Sequence, residues 1–245
     1  MLATGQDWVR RFDLPIDSTL TVRIAFANIA TANGASQTSN FVGQSNGFNI
    51  FEQGAAYELK TGIDPNGVTP DIEFSFGING YLQNELWFDP DPVAQQAVVP
   101  GDKTDARSVV LHEFGHAFGF SGWRNGNTGA LPGDFASTFD NQVQAANGTL
   151  SFIGANTVAL HGCPLAVTAG NDSHLGNDGG DALLLNDLMN GVVFYRGSRC
   201  QISAIDLAVM QDIGLPLAPV PEPASWALMA LGLLALRPLR RAARR

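Results

Sequence analysis

His112-Glu113-Phe114-Gly115-His116 sets two histidines and a glutamate at a spacing that chemistry can use. On a helix, residues four apart lie one turn above each other, so His112 and His116 can turn two imidazoles to one Zn²⁺ at about 2.0–2.1 Å. Glu113 lies about 100° round from His112, near enough to take a proton from a water at the ion without ligating it. Each fixed position of this HExxH pattern has its own task in zinc hydrolysis, which makes it specific. The plain alternative is an exposed helix with two stray histidines.

The elements that must hold these groups follow from pattern. A helix is expected from about Ala106 to Phe118, capped by Thr104 or Asp105 and ended by Gly119. Phe114 and Phe118 read as its core side. Leu20–Ile29 and Ile72–Phe76 alternate as strands, and Leu86–Phe88 reads as a short third strand stopped by Asp89-Pro90-Asp91-Pro92. Phe48–Lys60 reads as a helix, Asp64–Gly67 as a turn, Ser121–Asn147 as mostly loop, and Ile202–Ile213 as a second long helix. This order gives an α+β chain with a small mixed sheet. We expect one domain over 1–214, with an N-terminal lobe of about 1–120 and a loop-rich C-terminal lobe of about 121–214. A linker is expected over 215–223, ahead of a tail at 224–245.

The 245 residues are 45% apolar and 15% charged, enough to bury a core. Residues 1–220 carry nine basic and 22 acidic side chains, which leaves no cationic field for nucleic acid. The tail is the reverse. After Val220-Pro221-Glu222-Pro223, residues 224–236 are apolar apart from Ser225 and Gly232, and five arginines follow with no acid. As a helix, that segment spans about 20 Å, short of the roughly 30 Å hydrocarbon core, so it suits transient anchoring as a transmembrane helix. Proline-glutamate-proline, apolar segment and arginine cluster together resemble the PEP-CTERM sorting tail of Gram-negative bacteria. That resemblance implies export, processing near Pro221, Glu222 and Pro223 by an exosortase at the inner membrane, and delivery to the cell surface. The first residues show neither the basic region nor the apolar stretch of an export signal, so an upstream segment or a different start is expected.

Two histidines leave zinc short of a third protein ligand and of the open position a catalytic site keeps. Position 122, where a ligand follows in many such helices, is Gly122. His161, His174 or an acid must serve instead. Other candidates are a Ca²⁺ loop at 176–181, an oxyanion role for Tyr195, and a disulfide between Cys163 and Cys200. In an exported chain that bridge would close a 38-residue loop, worth about 4 kcal/mol.

HEFGHAFGF, a distant histidine in Asp172-Ser173-His174 and a methionine turn in Leu188-Met189-Asn190-Gly191 together resemble the leishmanolysin-type metzincins. The likeness runs from about Thr104 to Gly214 and is loose before that. It implies a zincin/metzincin-like fold, Zn²⁺ held by His112, His116 and His174, Glu113 as general base, and Met189 packed beneath the metal. It also implies a cleft beside Gly154, Ala155 and Asn156, and a propeptide cysteine, although no cysteine precedes His112. The expected activity is zinc-dependent hydrolysis of peptide bonds in a protein or peptide substrate. The rivals are a surface or matrix binding protein that keeps the zinc without cleaving, and a zinc amidohydrolase acting on cell wall or polysaccharide.

Overall fold

The computed structural model describes residues 1–14, 19–125, 128–177, 180–192 and 194–219. Its first helix, α1 (Leu2–Val9), has no counterpart in the sequence reading. It forms because Trp8 is fully buried against the helix that carries His112 and His116, where the indole Nε1–H donates to the Leu111 carbonyl at 2.9 Å. β1 (Val22–Ala27), β2 (Ala32–Ser36) and β5 (Ile72–Gly77) make a three-stranded sheet in the order β1-β5-β2. β1 runs parallel to β5 and β2 antiparallel to it. Ile72, Phe74 and Phe76 alternate into the core, as the pattern of that stretch predicts.

β3 (Ser39–Ser45) and β4 (Phe48–Gln53) form a hairpin, and α2 (Gly54–Thr61) follows directly. The expected helix over Phe48–Lys60 is therefore half strand. The reason is Asn46-Gly47, whose positive φ angles of 51° and 84° make the tight turn that such hairpins require. Gly62, left-handed at φ 70°, ends α2 near where the sequence predicts. β6 (Leu86–Trp87) pairs in parallel with β7 (Thr104–Asp105), immediately before α3 (Ala106–Phe118).

α3 is buried along nearly its whole length. Asp105 caps it by accepting from Ser108 N at 2.9 Å and Ser108 Oγ at 2.7 Å. Gly119 ends it, with φ 142° and a close neighbour: a Cβ there would stand 2.4 Å from Ile213 Cδ1. Phe114 stacks edge-on to Phe74 at 4.7 Å between ring centroids, fixing α3 against the sheet.

The stretch expected as loop contains β8 (Phe135–Ser137), a 3₁₀ turn at Asp140–Gln142 and β9 (Val143–Ala146). β8 joins β4 in parallel, so segments from either side of the lobe boundary expected near residue 120 share a sheet. β9, β10 (Thr149–Phe152) and β11 (Leu165–Ala166) form an antiparallel meander, with α4 (Ala155–His161) between the last two. α5 (Ala182–Leu185) and α6 (Ala204–Asp212) complete the body. Ser203 and Asp206 close α6 with a reciprocal capping box. Leu215 is buried, Leu217 bridges to Phe12, and Ala218 N bonds the Arg11 carbonyl at 2.8 Å, so the body extends past the expected start of the linker. The chain is α+β. The sorting residues Pro221, Glu222 and Pro223 and the apolar segment lie outside the described residues. Among the described residues no helix is long and apolar enough to cross a membrane.

Asp212, at the end of α6, caps α4 from outside: its carboxylate accepts from Asn156 N, Thr157 N, Asn156 Nδ2 and Thr157 Oγ1 at 2.6–2.9 Å. Asp212→Ala is expected to lower the unfolding free energy by about 2–3 kcal/mol, read from urea midpoints, with Asp212→Asn recovering part of it.

Candidate metal centre

α3 sets His112 and His116 one turn apart, and His174 arrives from the loop beyond β11. The three Nε2 atoms form a triangle of 3.0 Å on each side. The other nitrogen of two of these rings is committed. His112 Nδ1–H donates to the Leu188 carbonyl at 2.7 Å and His116 Nδ1–H to the Phe120 carbonyl at 2.5 Å, tautomers assigned from the acceptors they meet. A neutral imidazole has one N–H, so these two Nε2 atoms turn lone pairs into the triangle.

Lone pairs that close repel one another unless a proton or a cation lies between them. Protons are disfavoured: burial pushes His112 down to about 3, helped by the neighbouring His116, and pushes His116 down to about 4. His174 is pushed down further, by burial first and then by His116 and His112. Three neutral imidazoles converging from one helix and one loop are the donor set that suits Zn²⁺ with an open position.

The turn at 188–191 holds the arrangement together. Leu188 receives the His112 N–H, while Leu175, the residue after His174, donates its amide to the Met189 carbonyl at 3.0 Å. Gly191 N returns a bond to the Leu175 carbonyl at 3.2 Å. Gly191 has to be small, since a Cβ there would lie 2.6 Å from His174 Cβ. Met189 is fully buried under α3, where a Cβ on Gly115 would come within 2.5 Å of its sulfur.

Glu113 lines a cleft of about 750 Å³ together with His112 and His174. Burial pushes its carboxyl up to about 7, against a hydrogen bond with the Gly34 backbone. A Cβ on Gly34 would sit 2.5 Å from Glu113 Cβ, so glycine is what lets β2 lie against α3. β2 is the edge of its sheet. Gly77 N bonds the Thr31 carbonyl and Gln37 N the Asp71 carbonyl, so odd-numbered residues face β5. Ala32 and Gly34 therefore turn their amides and carbonyls away from β5, buried Gly34 toward Glu113 and Ala32 into the cleft. Across the cleft, Arg196 holds Glu85 through two bonds of 2.7 and 2.6 Å. Tyr81 also lines the cleft, and its phenol is pushed up to about 12 by burial and by Glu113 and Glu85.

Several expected residues fall elsewhere. Gly154, Ala155 and Asn156 do not line the cleft; they form the start of α4 against Asp212. Tyr195 is exposed, and its neighbours Phe194 and Arg196 take the cleft positions. His161 is turned to Asp181 at 2.9 Å, away from the histidine triangle. Asp181 also caps α5, and the middle of the expected Ca²⁺ loop, Asp178 and Gly179, lies outside the described residues. Cys163 and Cys200 are free thiols, not a disulfide. Cys163 is exposed at the end of α4, while Cys200 is fixed near the start of α3, its amide bonded to Ser108 Oγ at 2.8 Å. Sequence reasoning missed Tyr81, the Glu85–Arg196 pair and the β2 edge; its one available hint was Gly34, a glycine inside a strand.

Residues 219–245 match the model of the PEP-CTERM protein-sorting motif. Motifs of this kind are recognised by exosortase, so the tail marks the chain for export and membrane-associated sorting. No curated protein and no solved structure matches the chain.

Behind the methionine turn, Asp206 is fully buried and raised well above 3.8, by burial and by the charge and hydrogen bond of Asp187. The folded chain thus keeps a proton that the unfolded chain releases above about pH 4, and stability contributed by this pair falls as pH rises through that window. Asp206→Asn, which keeps a donor toward Asp187 but does not titrate, is expected to gain on the wild type between pH 5 and pH 8. Urea midpoints of both proteins at the two pH values check it.

Proposed function

We propose that this chain is an exported zinc-dependent endopeptidase of zincin architecture, with the split histidine set and methionine turn of a leishmanolysin-like metzincin. The observation that carries the reading is the triangle of three Nε2 atoms, 3.0 Å on a side, beside a buried glutamate in an open cleft. His112, His116 and His174 would hold the ion. Zinc bound there supplies a Lewis acid for the scissile carbonyl and makes a water acidic enough to attack near neutral pH.

The chain's own groups account for the rest. An extended peptide can add to the open edge of β2, with main-chain bonds at Ala32 giving affinity that does not depend on its side chains. This favours a peptide over a sugar polymer or a cell-wall amide, which has no strand to pair. Glu113 takes a proton from the attacking water and returns it to the leaving amine. Tyr81 keeps its phenolic proton and donates it as a hydrogen bond to charge developing on the carbonyl oxygen. The Glu85–Arg196 pair fixes the far wall of the cleft. The sorting tail carries this site to the membrane and beyond, so substrates are met outside the cytoplasm.

The test pairs metal content with cleavage of unstructured protein. Wild type is expected to hold one zinc per chain, His174→Ala to lose it, and Glu113→Gln to keep it while losing cleavage by on the order of 10²-fold or more. Cleavage undiminished in Glu113→Gln would sink the mechanism, and zinc retained by His174→Ala would move the third ligand. Zinc without cleavage in the wild type would favour the binding protein. Tyr81→Phe is expected to lower kcat by on the order of 10²-fold with little change in KM, measured on a fluorogenic peptide.

A further inference from the structure

Away from the cleft, the corner between α4 and β11 brings three chemistry-bearing side chains into a chain of contacts. His161 is the last residue of α4, and Gly162, left-handed at φ 91°, turns the backbone so that Cys163 comes back over the ring. Cys163 Sγ lies 3.4 Å from His161 Nδ1. On its other side the ring meets Asp181 Oδ2 through Nε2 at 2.9 Å. The corner is anchored at both ends. α4 is held by Asp212, and Leu165, two residues after Cys163, is fully buried in β11. The His161 side chain is only 7% exposed, whereas Cys163 stands in solvent.

The ring is placed to receive the thiol proton when the sulfur reacts. His161 Nδ1 is 3.2 Å from the Cys163 carbonyl as well as 3.4 Å from the sulfur. Once protonated at both nitrogens, the ring donates from Nε2 to a carboxylate and from Nδ1 to a carbonyl and a thiolate, so every polar group has a partner. Asp181 is a firm anchor: the Leu183 amide and then His161 hold its carboxyl below the usual range. A nucleophile within reach of a base, with the base oriented by a third group, is the arrangement of an activated thiol.

We propose that Cys163 is a reactive thiol, activated by His161 and Asp181, that undergoes thiol–disulfide exchange with small disulfides outside the cytoplasm. The Cys163 thiolate attacks one sulfur of R–S–S–R. A Cys163–S–S–R bond forms, the original S–S bond breaks, and the electron pair leaves on R–S⁻, which takes the proton from His161 Nδ1. Cys163 is oxidised and half of the reagent is reduced, so no other oxidant is needed. An exposed corner suits this reaction, since a thiolate leaving group needs no oxyanion pocket. Cys200 does not compete. Burial and the nearby Asp187, Asp206 and Asp105 push its thiol up to about 11. The proposal is independent of the zinc reading.

The test uses the full chain with oxidised glutathione and, for rates, the disulfide reagent dithiobis(nitrobenzoate) at pH 7. One fast-reacting thiol per chain is expected, lost in Cys163→Ser and kept in Cys200→Ser. His161→Gln and Asp181→Asn are each expected to slow it by about tenfold or more, with circular dichroism unchanged. Intact mass should show one glutathione adduct, mapped to Cys163. A wild-type rate in His161→Gln, or a fast phase that maps to Cys200, overturns the proposal. A disulfide-linked dimer in place of the adduct overturns the assignment to small disulfides.

Discussion

The turn at Leu188–Gly191 is the constraint on which the centre depends. It must satisfy two histidines that come from opposite directions, one from a helix and one from a loop. The Leu188 carbonyl takes the His112 N–H, and the Met189 carbonyl takes the amide of the residue after His174. Each bond sets one ring, and because both acceptors belong to one short turn the two settings are coupled. Met189 buried against Gly115 gives the turn a fixed floor, and Gly191 leaves the room that His174 needs. A shift of this turn would move two corners of the triangle together.

Around this turn the fold places polar groups where burial is costly. His112 and Glu113 are nearly inaccessible, and two imidazoles are held unprotonated by their surroundings. The cost is offset by packing: Phe74 and Phe114 lock α3 to the sheet, and Trp8 spans from α1 to the Leu111 carbonyl. Rigidity in the support is what gives the site a defined shape before any ligand arrives. The same close packing brings β2 onto Glu113 through Gly34, which puts the edge of the sheet beside Glu113 and the cleft.

The chain divides electrostatically into an acidic body and an arginine-ended tail that carries the sorting motif. Export gives the two cysteines different prospects. Cys200 is shielded by its acidic neighbours near α3, and Cys163 is presented to solvent with a histidine at its sulfur. The 38-residue spacing that invites a bridge therefore joins two unlike environments.

What the sequence determined by itself is local. The helix 106–118, its Asp105 cap, its Gly119 end and the facing of His112 and His116 follow from a 3.6-residue period and from end chemistry within a few residues. The alternation of Ile72–Gly77 and the sorting tail are equally short-range. The sequence read Phe48–Lys60 as one helix because Phe51, Ala55, Ala56 and Leu59 fit a helical face, while the Asn46-Gly47 hairpin turn decides the strand. Spacing alone left His161, His174 and acids open as partners for a triangle whose far corner is 58 residues from His116. Which one arrives is settled by where β11, the Met189 turn and α3 pack, and His161 is drawn instead to Asp181. Likewise, only the register against β5 shows that Ala32 turns its amide and carbonyl away from that strand. Distant segments meet through the sum of many weak contacts across the core, and no short window of sequence contains that sum.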